Sequence, residues 1–179
     1  ILPENSHSRI RFVSINPFAF IECREGQSMT LDDDGNMYMT GTYLLDDSSQ
    51  MSGTYMVKMD SAGNLLWLSN AGVSNSSNCF DLVLNDSGHI FCGGDDSLDI
   101  MLTKINKNTG AIVKNHVLNS ATASILSEVG DVSKIDRCFS VAVDNTGNIY
   151  CAGLSKRSFG GTMSGHNDAL IIKFNTDNQ

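Results

Sequence analysis

The sequence contains one thirteen-residue pattern three times. The copies are M-T-L-D-D-D-G-N-M-Y-M-T-G at 29–41, L-V-L-N-D-S-G-H-I-F-C-G-G at 82–94 and V-A-V-D-N-T-G-N-I-Y-C-A-G at 141–153. Aligned without gaps, every copy has Gly at its seventh and last positions and an aromatic residue at its tenth. A chain that repeats itself at such intervals folds as a series of equivalent units stacked on one another.

Each copy predicts two strands joined by a tight hairpin. An alternating apolar run leads into Asp or Asn, the turn ends at Gly, and a second apolar and aromatic run follows. Asp or Asn caps such a turn, and Gly accepts the positive φ that it requires. A lysine-bearing block follows each copy (Lys58, Lys104, Lys173), and turns of the same kind lie at 60–64 and 106–110. We therefore expect four short strands, A to D, in each repeat, and we find no helical periodicity.

Four antiparallel strands repeated every ~40–50 residues are typical of β-propeller blades. Residues 144–153 and 55–67 resemble the β-propeller repeat of secreted and surface proteins, often called the seven-bladed propeller repeat, and the resemblance covers roughly residues 26–175. It implies an all-β propeller with three four-stranded blades in this chain, as part of a larger ring or assembly. A propeller fold by itself implies no particular activity.

The predicted blades divide the chain into four parts. They are an N-terminal outer strand with its lead-in (1–27), blade 1 (28–78), blade 2 (79–137) and an incomplete blade 3 (138–179). Residues 10–14 resemble the outer strand at 65–69, whereas the last lysine block has no such strand after it. We expect residues 10–14 to pair with strand C of a third blade, in a two-chain six-bladed ring, in a longer polypeptide or in a filament.

Four of the five cysteines occupy two equivalent positions of the second and third copies: Cys79, Cys92, Cys138 and Cys151. In the first copy both positions are lost together, to Gly26 and Met39. This pattern predicts disulfides 79–92 and 138–151; the alternative is buried free thiols. Cys23 is left free or bonded to another chain. Disulfides would place the protein in an extracellular or cell-surface setting.

Charge and composition restrict the partners. The formal net charge is −8 and no basic patch is present, so we expect neither a nucleic-acid partner nor an anionic membrane partner. No apolar run reaches the length of a transmembrane helix, and residues 1–8 do not resemble a signal peptide.

The acidic turns and the lysines predict structural roles. Residues 32–36 resemble the start of a calcium loop, but the distal acid is missing and the sister turns differ, so we expect no metal and no cofactor. The three lysines occupy equivalent positions, and we expect each to extend along its blade toward an acid at the rim. We find no nucleophile paired with a base and therefore expect no enzymatic activity.

The D–A and B–C connections are predicted to lie at the end of the blades opposite the tight turns. We expect long, dissimilar loops there, at 15–27, 42–54, 69–77, 115–137 and 154–167. Such loops commonly bind ligands. Candidate ligand-binding residues are the polar residues Asp46, Asp47, His116, Arg137, Lys156, Arg157 and His166. Asn75 and Asn85 begin glycosylation acceptor triplets.

The sequence favours a non-catalytic extracellular or cell-surface module that acts as a structural, assembly or adhesive scaffold. A glycan- or ligand-binding, lectin-like propeller is the alternative, and an enzyme with a site on the loops is a third hypothesis. The expected partners are further blades, from a homo-oligomer or from the same polypeptide, and a glycan or surface protein.

Overall fold

The computed structural model of this protein describes residues 22–46, 51–72, 74, 76–118, 135–156 and 168–175. Within these ranges the chain forms eleven strands in three antiparallel sheets and no helix. The all-β prediction is therefore confirmed.

Each sheet is one blade, and its strands are neighbours in chain order. Blade 1 comprises β1 (Glu22–Leu31), β2 (Met37–Asp46), β3 (Met51–Met59) and β4 (Leu65–Asn70). Blade 2 comprises β5 (Ser77–Leu84), β6 (His89–Asp96), β7 (Asp99–Asn106) and β8 (Ile112–Leu118). Blade 3 comprises β9 (Arg137–Val143), β10 (Ile149–Ser155) and β11 (Asp168–Phe174).

Blade 1 starts earlier in the sequence than its predicted boundary, and the strand expected to complete blade 3 lies outside the described residues. Blade 1 begins at Glu22, inside the segment assigned to the lead-in, because residues 22–26 already pair with β2. Blade 3 has three strands within the described residues. The segment expected to complete it, residues 10–14, lies outside the described residues.

Tight turns join the strands at one end of the blades, which we call the turn end. Five glycines of these turns have positive φ: Gly35, Gly63, Gly88, Gly110 and Gly147. In blade 1 the Asp32 Oδ1 accepts hydrogen bonds from the backbone N of Asp34 (3.2 Å) and of Asn36 (2.9 Å). The Asp/Asn-x-x-Gly pattern therefore has the turn function that the sequence predicted.

The three sheets stack face to face, with the first strand of each blade innermost. A buried apolar cluster lies between blades 1 and 2 and includes Tyr38, Met56, Ile90, Met101 and Ile105. A second lies between blades 2 and 3 and includes Phe91, Ile100, Leu102, Val141 and Ile149. Each blade therefore buries apolar side chains against its neighbour, as expected for stacked repeats.

One carboxylate links all three inner strands. Asp81 in β5 accepts a hydrogen bond from the Ser28 hydroxyl of blade 1 (3.0 Å). Its other oxygen accepts from the Ser140 hydroxyl (2.9 Å) and the Val141 backbone N (3.0 Å) of blade 3. Ser28, Asp81 and Ser140 occupy the same repeat position, so this link is built from equivalent residues of three blades.

Both predicted disulfides are present in the structure. Cys79 bonds to Cys92 and Cys138 bonds to Cys151, each with a Cα–Cα distance of 5.7 Å. A bulge at the residue that follows Cys79 or Cys138 shifts the register of each A–B pair. In blade 1 the Met39 sulfur fills the corresponding space, 3.4 Å from where a Cβ on Gly26 would lie.

Candidate functional site

Arg137, a predicted ligand-binding residue, forms an ion pair between blades. Its Nε lies 2.7 Å from Oδ2 of Asp95, a buried carboxylate in β6. The Asn78 side-chain amide donates to the other oxygen of Asp95 (2.7 Å), and the Arg137 guanidinium lies 5.8 Å from the ring centre of Phe80. Arg137 thus connects β9 of blade 3 to blade 2, which gives it a structural role.

Lys156 lies next to a second contact between blades. The buried Asp136 carboxylate accepts hydrogen bonds from the Ser155 hydroxyl (2.6 Å) and from the Lys156 backbone N (3.1 Å). The backbone N of Asp136 donates to the Leu98 carbonyl of blade 2 (2.8 Å). Arg137 and Lys156 therefore lie at the same end of the blades, beside Asp136.

His116 lies elsewhere, on the outer strand β8. Its ring centre is 6.0 Å from that of Phe174 in blade 3. Its Nε2 is buried and has no hydrogen-bond partner among the described residues. Burial and the nearby Lys114 charge lower the pKa of this imidazole. Asp46 ends β2, whereas Asp47, Arg157, His166 and the glycosylation candidate Asn75 lie outside the described residues.

All five expected loops overlap residues that the structure places in strands, so the expected loop lengths are wrong. Residues 42–46 and 51–54 belong to β2 and β3, because the ladder continues through the pairs Thr42–Thr54 and Tyr43–Gly53. Residues 115–118 likewise extend β8, where Asn115 pairs with Thr103. Parts of the segments that were predicted as loops are therefore strands.

A hydrogen-bonded network recurs at the turn end of blades 1 and 3. In blade 1 the Asp32 Oδ2 accepts from the Tyr38 hydroxyl (2.9 Å) and from the Asn36 side-chain amide (3.0 Å). In blade 3 the Asp144 Oδ2 accepts from the Tyr150 hydroxyl (3.0 Å) and the Asn148 amide (2.8 Å). Both turns are thus fixed by a carboxylate with several donors.

These hydrogen bonds change the acidities of the turn residues. Burial acts to raise the pKa of Asp32, but hydrogen bonds from Asn36 and Tyr38 and the charge of Lys58 lower it overall. Hydrogen bonds from Asn148 and Thr146 hold the pKa of Asp144 well below its usual range. Burial and the hydrogen bond to Asp32 raise the pKa of Tyr38.

Blade 2 carries a different set of residues at the same three positions: Asn85, His89 and Phe91. Asn85 keeps the turn cap, since its Oδ1 accepts from the His89 backbone N (3.0 Å). The carboxylate and the phenol are replaced, and the buried Nδ1 of His89 has no hydrogen-bond partner among the described residues. Burial and the charge of Lys104 lower the pKa of His89.

A cleft of about 240 Å³ lies at this altered position, between the A–B turns of blades 2 and 3. Its lining includes Asn85, Asp86, His89, Lys104, Asn145 and Thr146. A wider cleft of about 570 Å³ lies between the A–B turns of blades 1 and 2. Candidate binding space therefore occurs at the turn end, which sequence analysis had assigned a structural role only.

The three repeated lysines lie over aromatic rings of the neighbouring strand. The ammonium-to-centroid distances are 5.1 Å for Lys58 and Tyr38, 5.9 Å for Lys104 and Phe91, and 5.5 Å for Lys173 and Tyr150. This is a cation–π arrangement rather than the expected pairing with a rim acid. Among the described residues, no cluster of three or more His, Cys, Asp or Glu side chains could hold a metal ion.

The family comparison agrees with this architecture. The SBBP family, described as "Beta-propeller repeat", matches residues 127–160, which include β9 and β10. The chain carries a β-propeller repeat. No curated protein matches the sequence of this propeller chain.

A solved structure matches most of this chain. The crystal structure of polysaccharide lyase Uly1 matches with a TM-score of 0.49 and 13% identity, covering 88% of this propeller chain and 29% of the lyase chain. This chain thus spans less than a third of that protein's length. The described part of the propeller contains no helix that is long and apolar enough to cross a membrane.

Proposed function

We propose that this chain is a non-catalytic structural module of an extracellular propeller assembly, and that its blade 3 packs against a further blade. The observation that carries the proposal is the exposure of one repeat position, two residues before the lysine of each third strand. Met56 and Leu102 are 0% and 1% exposed, whereas Ile171 is 78% exposed. The following blade covers the first two side chains.

Neighbouring positions on the same face of blade 3 follow this difference. Thr54 and Ile100 are buried, while their counterpart Ala169 is exposed. The face that forms an interface in blades 1 and 2 is therefore open to solvent in blade 3. Burying an exposed isoleucine side chain stabilises a complex by roughly 1.5–3 kcal/mol, which favours a partner at this face.

For the isolated chain, the further blade comes from a second copy. On the opposite face of blade 1, in contrast, Tyr55 and Val57 are buried. The two copies would therefore meet blade 3 to blade 3 about a two-fold axis, so that the same face is used twice.

Two features support the extracellular and non-catalytic parts of the proposal. The two disulfides are typical of proteins that work outside the reducing cytosol. Several acids also have structural partners: Asp81 and Asp95 connect blades, and Asp144 fixes a turn.

Measurement of the molar mass by light scattering during size-exclusion chromatography tests the proposal. We expect the oxidised wild-type chain to form a dimer and the Ile171→Asp variant to be a monomer. A matched control, Ile112→Asp, changes a half-exposed isoleucine on the outer strand of blade 2 and should leave the dimer intact. A wild-type chain that stays monomeric at every concentration, or an Ile171→Asp dimer, contradicts the proposal.

A further inference from the structure

Blade 2 departs from its sister blades at every member of one hydrogen-bonded network. Blades 1 and 3 have an Asp, an Asn and a Tyr that bond to one another at the turn end. Blade 2 has Asn85, His89 and Phe91 at these positions. All three side chains differ while the turn itself is kept. The hydrogen-bonding groups at this part of the surface therefore differ from those of the sister blades.

The first consequence is that an amide nitrogen, which donates hydrogen bonds, replaces a carboxylate oxygen, which accepts them. Asn85 Oδ1 caps the turn by accepting from the His89 backbone N (3.0 Å), as Asp32 Oδ1 accepts from Asn36 N (2.9 Å). The Asn85 Nδ2 therefore takes the place of the second carboxylate oxygen, which accepts two hydrogen bonds in blade 1. An amide nitrogen donates and cannot accept.

The second consequence is a lysine whose own blade begins its A–B turn with a neutral amide instead of a carboxylate. In blade 1 the turn acid Asp32 feels the positive charge of Lys58. In blade 2 the equivalent turn residue, Asn85, is neutral, and no ion pair joins Lys104 to an acid in the part of the chain that the structure describes. Lys104, Asn85 and His89 line the same cleft.

The acids that line the cleft do not replace the turn carboxylate that blade 2 lacks. Asp144 lines the cleft, but both of its oxygens already accept hydrogen bonds from Thr146, Asn148 and Tyr150 of its own blade. Asp86, the other acid of the lining, is exposed at the tip of its turn. The cleft of about 240 Å³ therefore places the Asn85 and His89 side chains and the Lys104 cation together, next to two carboxylates of which one is held by its own turn and the other is exposed to solvent.

We propose that the cleft between the A–B turns of blades 2 and 3 binds a small ligand through a carboxylate group, which replaces the turn carboxylate that blade 2 lacks. The Asn85 Nδ2 and the Lys104 ammonium donate to the ligand carboxylate. The His89 ring provides a further donor after rotation, which breaks no hydrogen bond at its Nδ1. Asn145 and Thr146 on the wall formed by blade 3 contact the remainder of the ligand.

The ligand site is independent of the proposed assembly. The cleft lies at the turn end between blades 2 and 3, whereas Ile171 lies on the open sheet face of blade 3. A monomeric chain could therefore bind the carboxylate, and a dimer could lack the site, so the two proposals fail separately.

Titration with sodium acetate, followed by NMR, tests the site. We expect saturable shifts of the His89 ring and Asn145 amide signals with acetate, and no such shifts with sodium chloride at matched ionic strength. In Asn85→Asp the protein supplies the carboxylate itself, so acetate affinity should fall by at least about tenfold. The control Asn108→Asp adds the same charge at an exposed turn residue of the same blade, outside the cleft lining, and should bind acetate normally.

A triple variant tests whether a loss of acetate binding in Asn85→Asp comes from misfolding instead of from the added carboxylate. Asn85→Asp, His89→Asn and Phe91→Tyr together recreate the network of blades 1 and 3, so this variant should fold and should show no saturable Asn145 shift. Acetate shifts that do not saturate, that chloride reproduces, or that persist unchanged in Asn85→Asp overturn the proposal.

Discussion

Blades 2 and 3 share their disulfide and their lysine-over-aromatic contact, but they differ in what covers them. Blade 2 lies between two sheets, whereas blade 3 contacts one sheet within the described residues. The equivalent side chains Leu102 and Ile171 are both aliphatic, yet the first is 1% exposed and the second 78%. Burial in a repeat protein is thus decided by the neighbouring repeat as well as by the residue itself.

The largest expected effect comes from truncating this position in each blade. Leu102→Ala should lower the free energy of unfolding by about 2–5 kcal/mol, because it leaves a cavity between blades. Ile171→Ala should change it by about 0.5 kcal/mol or less when the chain is monomeric. Urea unfolding of both variants at low protein concentration measures the difference, and equal effects would remove the basis of the comparison.

Introducing a third disulfide tests whether blade 1 is equivalent to blades 2 and 3 at the cysteine positions. Gly26 and Met39 occupy the positions of the paired cysteines, and a Cβ on Gly26 has the Met39 sulfur as its close neighbour. Gly26→Cys combined with Met39→Cys should form a disulfide and stabilise the protein by about 3 kcal/mol. Thermal unfolding with and without reductant checks this, with each single cysteine variant as a control. A double variant whose new thiols stay free shows that blade 1 is not equivalent at this position.

Substitution of Asp81 measures how much its hydrogen bonds to blades 1 and 3 contribute to stability. Asp81→Asn replaces one accepting oxygen with a donor that faces donors of blade 1 or blade 3, and it should cost about 1–3 kcal/mol of stability. Ser28→Ala removes a single donor and should cost about 0.5–1.5 kcal/mol. Chemical unfolding measures both, and an Asp81→Asn variant as stable as wild type contradicts the central role of this carboxylate.

The smallest expected effect is a pH dependence that differs between blades. The folded-state pKa of Asp144 lies below the unfolded value of 3.8 because of its hydrogen bonds. Its contribution to stability is therefore complete above that unfolded value and is lost as the pH falls through the lower folded-state pKa. Asp144→Asn should flatten the loss of stability in acid, as measured by urea midpoints from pH 6 to pH 3. Asn85→Asp should steepen it, and unchanged profiles contradict this account of the turns.

The repeat made strands, turns and disulfides predictable, because each was visible as an equivalence between copies. The contact of Lys58 with Tyr38 was not, since it depends on a register that places the two residues directly opposite each other. The ends of β2 and β3 were missed because the ladder continues through polar residues such as Thr42 and Thr54.

The cleft could have been found from sequence. Asn85, His89 and Phe91 replace, in the second copy alone, the Asp, Asn and Tyr that the other two copies share. Taken together, these three positions mark the one A–B turn of the three copies without the Asp–Asn–Tyr network. The size of the cleft, in contrast, depends on how blades 2 and 3 pack, which no single copy of the repeat specifies.

The exposure of Ile171 in the native protein tests the central claim most directly. Hydroxyl-radical footprinting read by mass spectrometry reports this for each side chain, with buried Leu102 and half-exposed Leu66 as internal references. Our account predicts that Ile171 is protected at high protein concentration to nearly the extent of Leu102 and becomes reactive on dilution. Oxidation of Ile171 at least as fast as that of Leu66, at every concentration, would show that no blade covers this face.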